Sequence, residues 1–408
     1  MKADDLFRHL VKAQGSDLIV RVSGRPSIRV DGKVRFIGEE VVTASVAQEL
    51  FTRVLDERQQ DQFFRTGEVD SAYEIAGVGR FRVNVFRQRG RIGFVFRHVK
   101  SNIPELATLN LPEEQLTRLV RLKRGLVLVT GTAGSGKSTT LAAMLDWLNK
   151  NEERHVVTLE DPVEFLFEDA RCTFNQREIG VDTVSFHAAL KHVVRQAPDV
   201  IMVGEMRDRE TVESVLQAAE TGHLVFSTLH TVNAVQTVER IISFFPPHHH
   251  NLIRMQIAMM LEGVISQRLI ARRGEYGRVP AIELLLATPT VKEMLNEGRT
   301  RELHKAIYEG GEHYGTMTFN QSLIRLLRLG KIGLEDALAA SDNPDELKLE
   351  MRGIMKGARA GQFDASSMTK SPREAREASR PTLEARKPPE PREPRESRES
   401  REEVGHSY

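Results

Sequence analysis

The sequence predicts an α/β chain in two folded parts: a small mixed α/β domain over residues 1–100, then a larger domain on a parallel sheet covered on both faces by helices. Two observations carry this expectation. Beyond about residue 120, short apolar β-prone runs alternate with helical stretches, the pattern of strands buried on both sides. Before residue 100, the β-prone segments alternate apolar with polar side chains, the pattern of strands that bury one face. A sharp change of composition near residue 366 marks a third region of different character.

Taken in order, the stretch SIRVDGKVRF (27–36) sets Asp31-Gly32 between two short alternating runs, which predicts a hairpin. Helices are expected at 46–55 and 58–64. Phe81, Val83 and Val85 then alternate with Arg80, Arg82 and Asn84, so this strand should bury one face and line the other with arginine. Ile92, Phe94 and Phe96 repeat the pattern less cleanly, because Val95 between them is apolar. Residues 101–115 carry two prolines and little periodicity, and read as a linker. In the second domain, 116–288, strands are expected at 126–129, 156–159, 200–203 and 223–227, with helices at 138–150, 185–196 and 208–221. The last helix has Val212, Val215, Leu216 and Ala219 at i, i+3, i+4 and i+7, with Asp208 as N-cap and Gly222 just beyond its end. Short helices at 291–296, 319–329, 334–339 and 345–356 fill a C-terminal helical region, 289–365.

At ~150 residues per domain, 408 residues suit two or three domains with large cores. A hydrophobic share of 40% and a charged share of 28% exclude a fibrous chain. Fifty-eight Lys and Arg against 57 Asp and Glu give a formal charge of +1, so no overall polycationic character invites nucleic acid or anionic lipid. The single cysteine, Cys172, cannot form an internal disulfide or a four-cysteine zinc site, and reads as a small packed residue; Trp147 reads as core. No apolar run approaches the ~18–20 residues that span a bilayer, and MKADDLFRHLVKAQGSDL is no signal peptide, so the chain reads as cytoplasmic. Residues 369–408 hold ten Lys or Arg, nine Asp or Glu and six Pro, with almost no large apolar side chain. Such a segment cannot bury enough surface to offset its ordering entropy, so 366–408 is expected to be a disordered, charged tail.

The chemistry concentrates in three elements. Gly131-Thr132-Ala133-Gly134-Ser135-Gly136-Lys137-Ser138, followed by Thr139, fits the phosphate-binding pattern G-x-x-x-x-G-K-[ST] between an expected strand and an expected helix. Glycines let the backbone amides turn towards phosphate oxygens, the helix start adds partial positive charge, Lys137 reaches the outer phosphates and the Ser138 hydroxyl holds Mg²⁺. Hydrolysis also needs carboxylates at neighbouring strand ends. One expected strand runs into Glu160-Asp161-Pro162-Val163-Glu164, and another into Gly204-Glu205. Glu205 is the candidate to hold Mg²⁺ with Ser138 and, together with Glu160 or Glu164, to prepare the attacking water, with helix capping or surface exposure as the alternative for Glu160 and Glu164. Thirdly, His223 and His230 bracket the run LVFSTL, and an imidazole at the phosphate edge can sense the γ-phosphate. His248-His249-His250, after two prolines, reads as a solvated helix start rather than a metal site.

Four stretches thus stand in order: GTAGSGKST, VVTLEDPVEF, APDVIMVGEMRDRET and ETGHLVFSTLHT, with GRFRVNVFRQRG, NQREIGVDT and ERIISFFPP beside them. From about residue 3 to 357 the chain resembles the secretion ATPase superfamily, specifically the type IV pilus retraction ATPases (PilT/PilU-like), in which the four are the Walker A, Asp box, Walker B and His box. The resemblance implies a PAS-like α+β N-terminal domain, a RecA-like P-loop core with C-terminal helices, a ring-shaped homohexamer, and ATP hydrolysis that turns domains and draws pilin back into the membrane. It also implies a peripheral position at the inner face of the cytoplasmic membrane, an inner-membrane platform protein as partner, and Mg²⁺ with ATP. PilT-type motors carry an A-I-R-N-L-I-R-E-like stretch where this chain has TVKEMLNEG (290–298). RELHKAI, TMTFNQSL and EDALAASDNPDELKLEM look more like PilU, an accessory motor that acts with a PilT-type partner. Assembly ATPases usually carry the four-cysteine zinc insert that one cysteine cannot supply. In a ring the arginine-lined strand could serve the adjacent subunit. Arg80, Arg82 and Arg97 are candidates to reach a neighbour's nucleotide, with solvation of the sheet as the alternative.

Other readings compete. A principal PilT-type motor, or a regulatory ring subunit that binds ATP with little hydrolysis, would keep the same motifs. A DNA translocase would share the core and would need a basic channel.

Overall fold

The computed structural model describes residues 3–30, 32–99, 102–274 and 277–357. Asp31 of the expected hairpin and the whole charged stretch from 358 onward lie outside the described residues.

The first part is a six-stranded antiparallel sheet, as the α+β expectation required. Helix α1 (Ala3–Lys12) buries Ala3, Leu6, Phe7 and Leu10, one face at helical spacing. Strands β1 (Asp17–Arg21), β2 (Ser27–Val30) and β3 (Lys33–Phe36) follow. Val30 pairs with Lys33, so β2 and β3 form the hairpin expected around Gly32. Its outer strand differs from the expected alternation. All four residues of β3 are exposed, because it is the sheet's edge. Thr43 caps α2 (Ala44–Val54), and Asp56 with Gln59 forms a capping box on α3 (Glu57–Thr66), which ends on Gly67 at φ 84°. Strands β4 (Glu68–Ile75), β5 (Gly79–Gln88) and β6 (Arg91–His98) complete the order β3-β2-β1-β6-β5-β4. Phe81, Val83 and Val85 point inward and are fully buried. Phe7 packs on Phe81 and Phe96, with ring centroids 4.8 and 4.7 Å away.

Within the stretch read as a linker, Leu106 and Leu111 are buried, and α4 (Glu113–Val120) begins. The second sheet then forms from β7 (Gly125–Thr130), β8 (His155–Glu160), β9 (Thr173–Glu178), β10 (Val200–Val203), β11 (Leu224–Leu229), β12 (Leu261–Ala271) and β13 (Arg278–Leu286). The order is β13-β12-β7-β11-β10-β8-β9, parallel throughout except at the antiparallel edge β13. Strand β7 shows why its sequence is a continuous apolar run. Leu126 and Leu128 enter the core under α6 (Phe186–Val193), α7 (Arg209–Glu220), α8 (Ala234–Ser243) and α9 (His250–Met260), whereas Val127 and Val129 enter the opposite core under α4 and α5 (Lys137–Asn151).

Helices α10 (Pro289–Asn296), α11 (Leu303–Glu309), α12 (Gly311–Tyr314), α13 (Phe319–Arg328), α14 (Leu334–Ala340) and α15 (Pro344–Gly357) follow. Leu323, Ile324 and Leu327 of α13 pack on Ile270, Val279 and Ala281 of the outer strands. The two parts also meet through an ion pair: Arg80 Nη2 lies 3.3 Å from Glu178 Oε2.

Candidate active site

Strands β7, β8, β10 and β11 all end on one side of the sheet, and their ends border a cavity of about 300 Å³. This is the crevice where open α/β sheets bind ligands.

The phosphate loop turns at three glycines, two of which have no room for a side chain. Gly131, Gly134 and Gly136 have φ of 145°, 75° and 91°. A Cβ on Gly131 would lie 2.4 Å from the Gln267 carbonyl, and one on Gly136 would lie 2.7 Å from Gln267 Nε2. Gly134 faces open space on the cavity side. Lys137 opens α5 and donates from Nζ to the carbonyls of Gly131 (2.8 Å) and Thr132 (3.1 Å). Burial pulls its ammonium below the usual 10.5, and nearby Glu205 opposes the shift. The Ser135 hydroxyl is buried with no hydrogen-bond partner among the described residues. A loop turned by glycines at the start of a helix, a buried ammonium and an unpaired hydroxyl together fit a polyphosphate. Exposed Ser138 and the Glu205 carboxylate, which both line the cavity, supply hard oxygen donors of the kind that Mg²⁺ prefers.

Strand β12 braces the loop from beneath. Gln267, 2% exposed, donates from Nε2 to the Ser135 carbonyl (2.9 Å) and accepts from the Thr140 hydroxyl at Oε1 (2.8 Å). Thr130 donates to Ser266 Oγ at 3.0 Å. Sequence reasoning missed Gln267, because 131 positions separate it from Gly136 and no motif announces it.

The carboxylates fall into three situations. Glu160, at the end of β8, is buried, and both its oxygens are taken: Oε1 by Thr158 (2.7 Å) and Gln176 (3.2 Å), Oε2 by the Glu164 amide (3.2 Å). Burial pushes its carboxyl above the usual range, against those three hydrogen bonds, with neighbouring Glu164 adding to the rise. Its geometry folds the loop that follows. Glu164, on that loop, is exposed to the cavity and its carboxylate has no partner among the described residues. Glu205, one residue past Gly204 at the end of β10, is 9% exposed. Its Oε2 lies 3.2 Å from His230 Nε2, and its Oε1 pairs with Arg207 Nη2. Arg207 lies inside the stretch APDVIMVGEMRDRET, yet nothing in the sequence marks it as a wall of the cavity.

The two histidines separate. His230 follows β11 at the cavity, whereas His223 precedes the same strand at its far end, about 20 Å along the chain at ~3.3 Å per residue. There His223 Nδ1 lies 3.0 Å from the Ala218 carbonyl, at the end of α7. The three arginines do not border this chain's own cavity. Arg80 is paired with Glu178, Arg97 Nε donates to Asp17 Oδ1 at 2.9 Å, and Arg82 stands opposite Arg97 in the sheet. Cys172 is buried against the carbonyls of Leu148 and Glu152, as expected of a packed thiol. His250 starts α9 and bonds the Phe245 carbonyl, while His248 and His249 occupy the single turn before it.

Comparison with known proteins agrees with this geometry. Residues 91–331 match the family model described as type II/IV secretion system protein. The chain is 40% identical to the type IV pilus ATPase PilU of Pseudomonas aeruginosa over 369 residues, 90% of this chain and 95% of that protein. It is 41% identical to the type IV pilus retractation ATPase PilT of the same organism over 345 residues, 85% of this chain and 99% of that one. The crystal structure of the pilus retraction motor PilT with bound ADP matches with a TM-score of 0.79 at 40% identity, across 86% of this chain and 99% of that one. A phosphate cradle facing strand-end acids, on a fold shared nearly end to end with these proteins, places the chain in the type II/IV secretion system protein family, among its type IV pilus retraction ATPases.

Proposed function

We propose that this chain is a Mg²⁺-dependent ATPase motor that works as a ring of identical subunits in the cytoplasm, at the inner face of the membrane, and retracts type IV pili as an accessory, PilU-like motor beside a PilT-type partner and against a membrane platform protein. The observation that carries the reading is the meeting of Lys137, Ser138, Glu164, Glu205 and His230 in one cavity. We divide the chain accordingly into 1–100, 116–288 and 289–365, with 366–408 as an appended tail.

The loop amides and Lys137 hold and neutralise the triphosphate. Ser138 and Glu205 are the residues that would hold Mg²⁺, which when bound withdraws charge from the phosphate oxygens. Glu164, rather than Glu160, suits the role of general base, since its carboxylate is free while both Glu160 oxygens are committed to shaping the loop. Water attacks the γ-phosphorus, its proton passes to Glu164, and the bond from that phosphorus to the β–γ bridging oxygen breaks. His230 shares Glu205 and so stands where loss of the γ-phosphate is felt. Arg80, Arg82 and Arg97, which do not line this chain's cavity, are the arginines offered to a neighbour's, although Arg80 and Arg97 would first have to leave Glu178 and Asp17.

The accessory reading draws support from the longer span of the PilU match and from the C-terminal stretches named above, against near-equal identity to PilT. The test is phosphate release by the purified protein and by Lys137→Ala and Glu205→Ala. Equal rates in all three would leave only a binding role. Retraction by this protein in cells lacking any other such motor would overturn the accessory assignment.

A further inference from the structure

Glu205 is the carboxylate this site needs most, yet the chain itself has claimed both its oxygens. His230 takes Oε2, and Arg207 Nη2 takes Oε1. The same guanidinium reaches on: its Nη1 lies 3.5 Å from Oδ2 of Asp161, the first residue after β8. Arg207 therefore bridges the ends of two paired parallel strands, β8 and β10, across the mouth of the cavity. The two ends of the bridge differ in freedom. The Glu205 side chain is 11% exposed and stands two residues past the end of a buried strand, whereas the Arg207 side chain is 63% exposed on a long flexible stem. When the contact breaks, the arginine is the part that moves.

We infer that Arg207 is an exchangeable latch: it ties Glu205 to Asp161 and must release Glu205 before that carboxylate can serve a metal ion held with the nucleotide. Arg207 is thus a positioning residue that acts through Glu205, and the inference rests on the ATPase reading given above. The chemistry supports the competition. A guanidinium–carboxylate contact is charge-assisted and stronger than a neutral hydrogen bond, but exposure of the arginine keeps it modest enough to exchange. A triphosphate in the cradle offers the released guanidinium another anionic partner of matching geometry. A site that is competent only when unlatched has its apparent metal affinity lowered by the unlatched fraction.

The test uses the full-length protein and a fluorescent, non-hydrolysable ATP analogue, with Mg²⁺ titrated at fixed nucleotide and the half-saturating Mg²⁺ read from the fluorescence. Arg207→Gln should lower that concentration by about three- to tenfold, the range expected for loss of a partly exposed charge-assisted contact. Arg207→Lys keeps the charge but cannot span both carboxylates, and should show most of the same shift. In a Glu205→Gln background, Arg207→Gln should add nothing. Wild-type Mg²⁺ dependence in both single variants would overturn the latch. So would a shift in the Gln variant alone, because charge by itself would then explain it. A parent protein that takes up no nucleotide would instead overturn the ATPase reading, a different failure. Far-ultraviolet circular dichroism checks that each variant is folded, which the exposure of Arg207 favours.

Discussion

Gln267→Leu isolates the brace beneath the phosphate loop. Leucine nearly conserves the volume, so no large cavity opens, and the change removes two hydrogen bonds at a position 2% exposed. The Thr140 hydroxyl can turn to the Gly136 carbonyl one helical turn back, and so recovers a partner. The Ser135 carbonyl has no such recourse, and an orphaned buried acceptor costs about 1–3 kcal/mol. Taking about 2 kcal/mol, the melting temperature should fall by about 4–8 °C for a domain of this size. If about 1.4 kcal/mol of that is felt by the loop in its ligand-binding shape, nucleotide affinity falls about tenfold. Differential scanning fluorimetry reads the first quantity, and titration with a fluorescent ATP analogue reads the second. Gln267→Glu should be worse, because it sets a carboxylate against the Ser135 carbonyl. A Gln267→Leu protein with the parent's melting temperature and affinity would refute the idea that β12 shapes the loop.

Three further outcomes follow from the geometry. His230→Ala should lower turnover by about ten- to a hundredfold if it stands in for part of an acid–base or sensing contribution, whereas His223→Ala, at the other end of β11, should leave turnover within about twofold and act on stability; steady-state phosphate release compares them, and equal losses would contradict the separation. Burial raises the carboxyls of Glu160 and of Glu283, a buried residue of β13 that accepts from the Ala234 amide, above the usual 4.5, so the stability they contribute is complete below that pH and is lost as pH rises through their folded values. The melting temperature of Glu283→Gln relative to the parent should therefore improve steadily from about pH 4.5 upward, and a constant difference would refute the assignment. Arg80→Ala leaves Glu178 buried without its cation and should cost about 1–2 kcal/mol in chemical denaturation, while Arg80→Ala combined with Glu178→Gln should recover most of the loss.

The parts of the fold that sequence predicted best were those where local chemistry and tertiary burial agree. Strand β7 and helix α7 are examples: one is apolar on both faces because both faces are covered, and the other carries its cap, its stripe and its terminating glycine in order. Between β11 and α10 the sequence offers only the helix start at 248–250, where α9 begins at His250. In α9, Leu252, Met255 and Met259 leave apolar side chains on the exposed face and blur the stripe that would announce a helix. Strand β12 places Ser266, Gln267 and Arg268 in its middle, polar residues that look like a loop until the structure gives each a partner. Edge strand β9, TFNQRE, is polar for a similar reason, since only one neighbour covers it. At the site, the phosphate loop and the strand-end acids were legible because their spacing is local. Gln267 and Arg207 were not. Their roles arise from contacts across strands, and no spacing along the chain encodes them.

The lysine of the phosphate loop has an implication for how fast and how tightly the site can be filled. By donating to the two residues that begin the loop, Lys137 closes a small ring of its own chain and holds the loop together before any phosphate arrives. An arriving triphosphate must draw that ammonium off the two carbonyls, so its association includes a local exchange besides diffusion and steering. The same closure weighs on departure and arrival alike: each exchange of ligand swaps phosphate oxygens for peptide oxygens around one ammonium, and the affinity measured is the difference between those two sets of contacts.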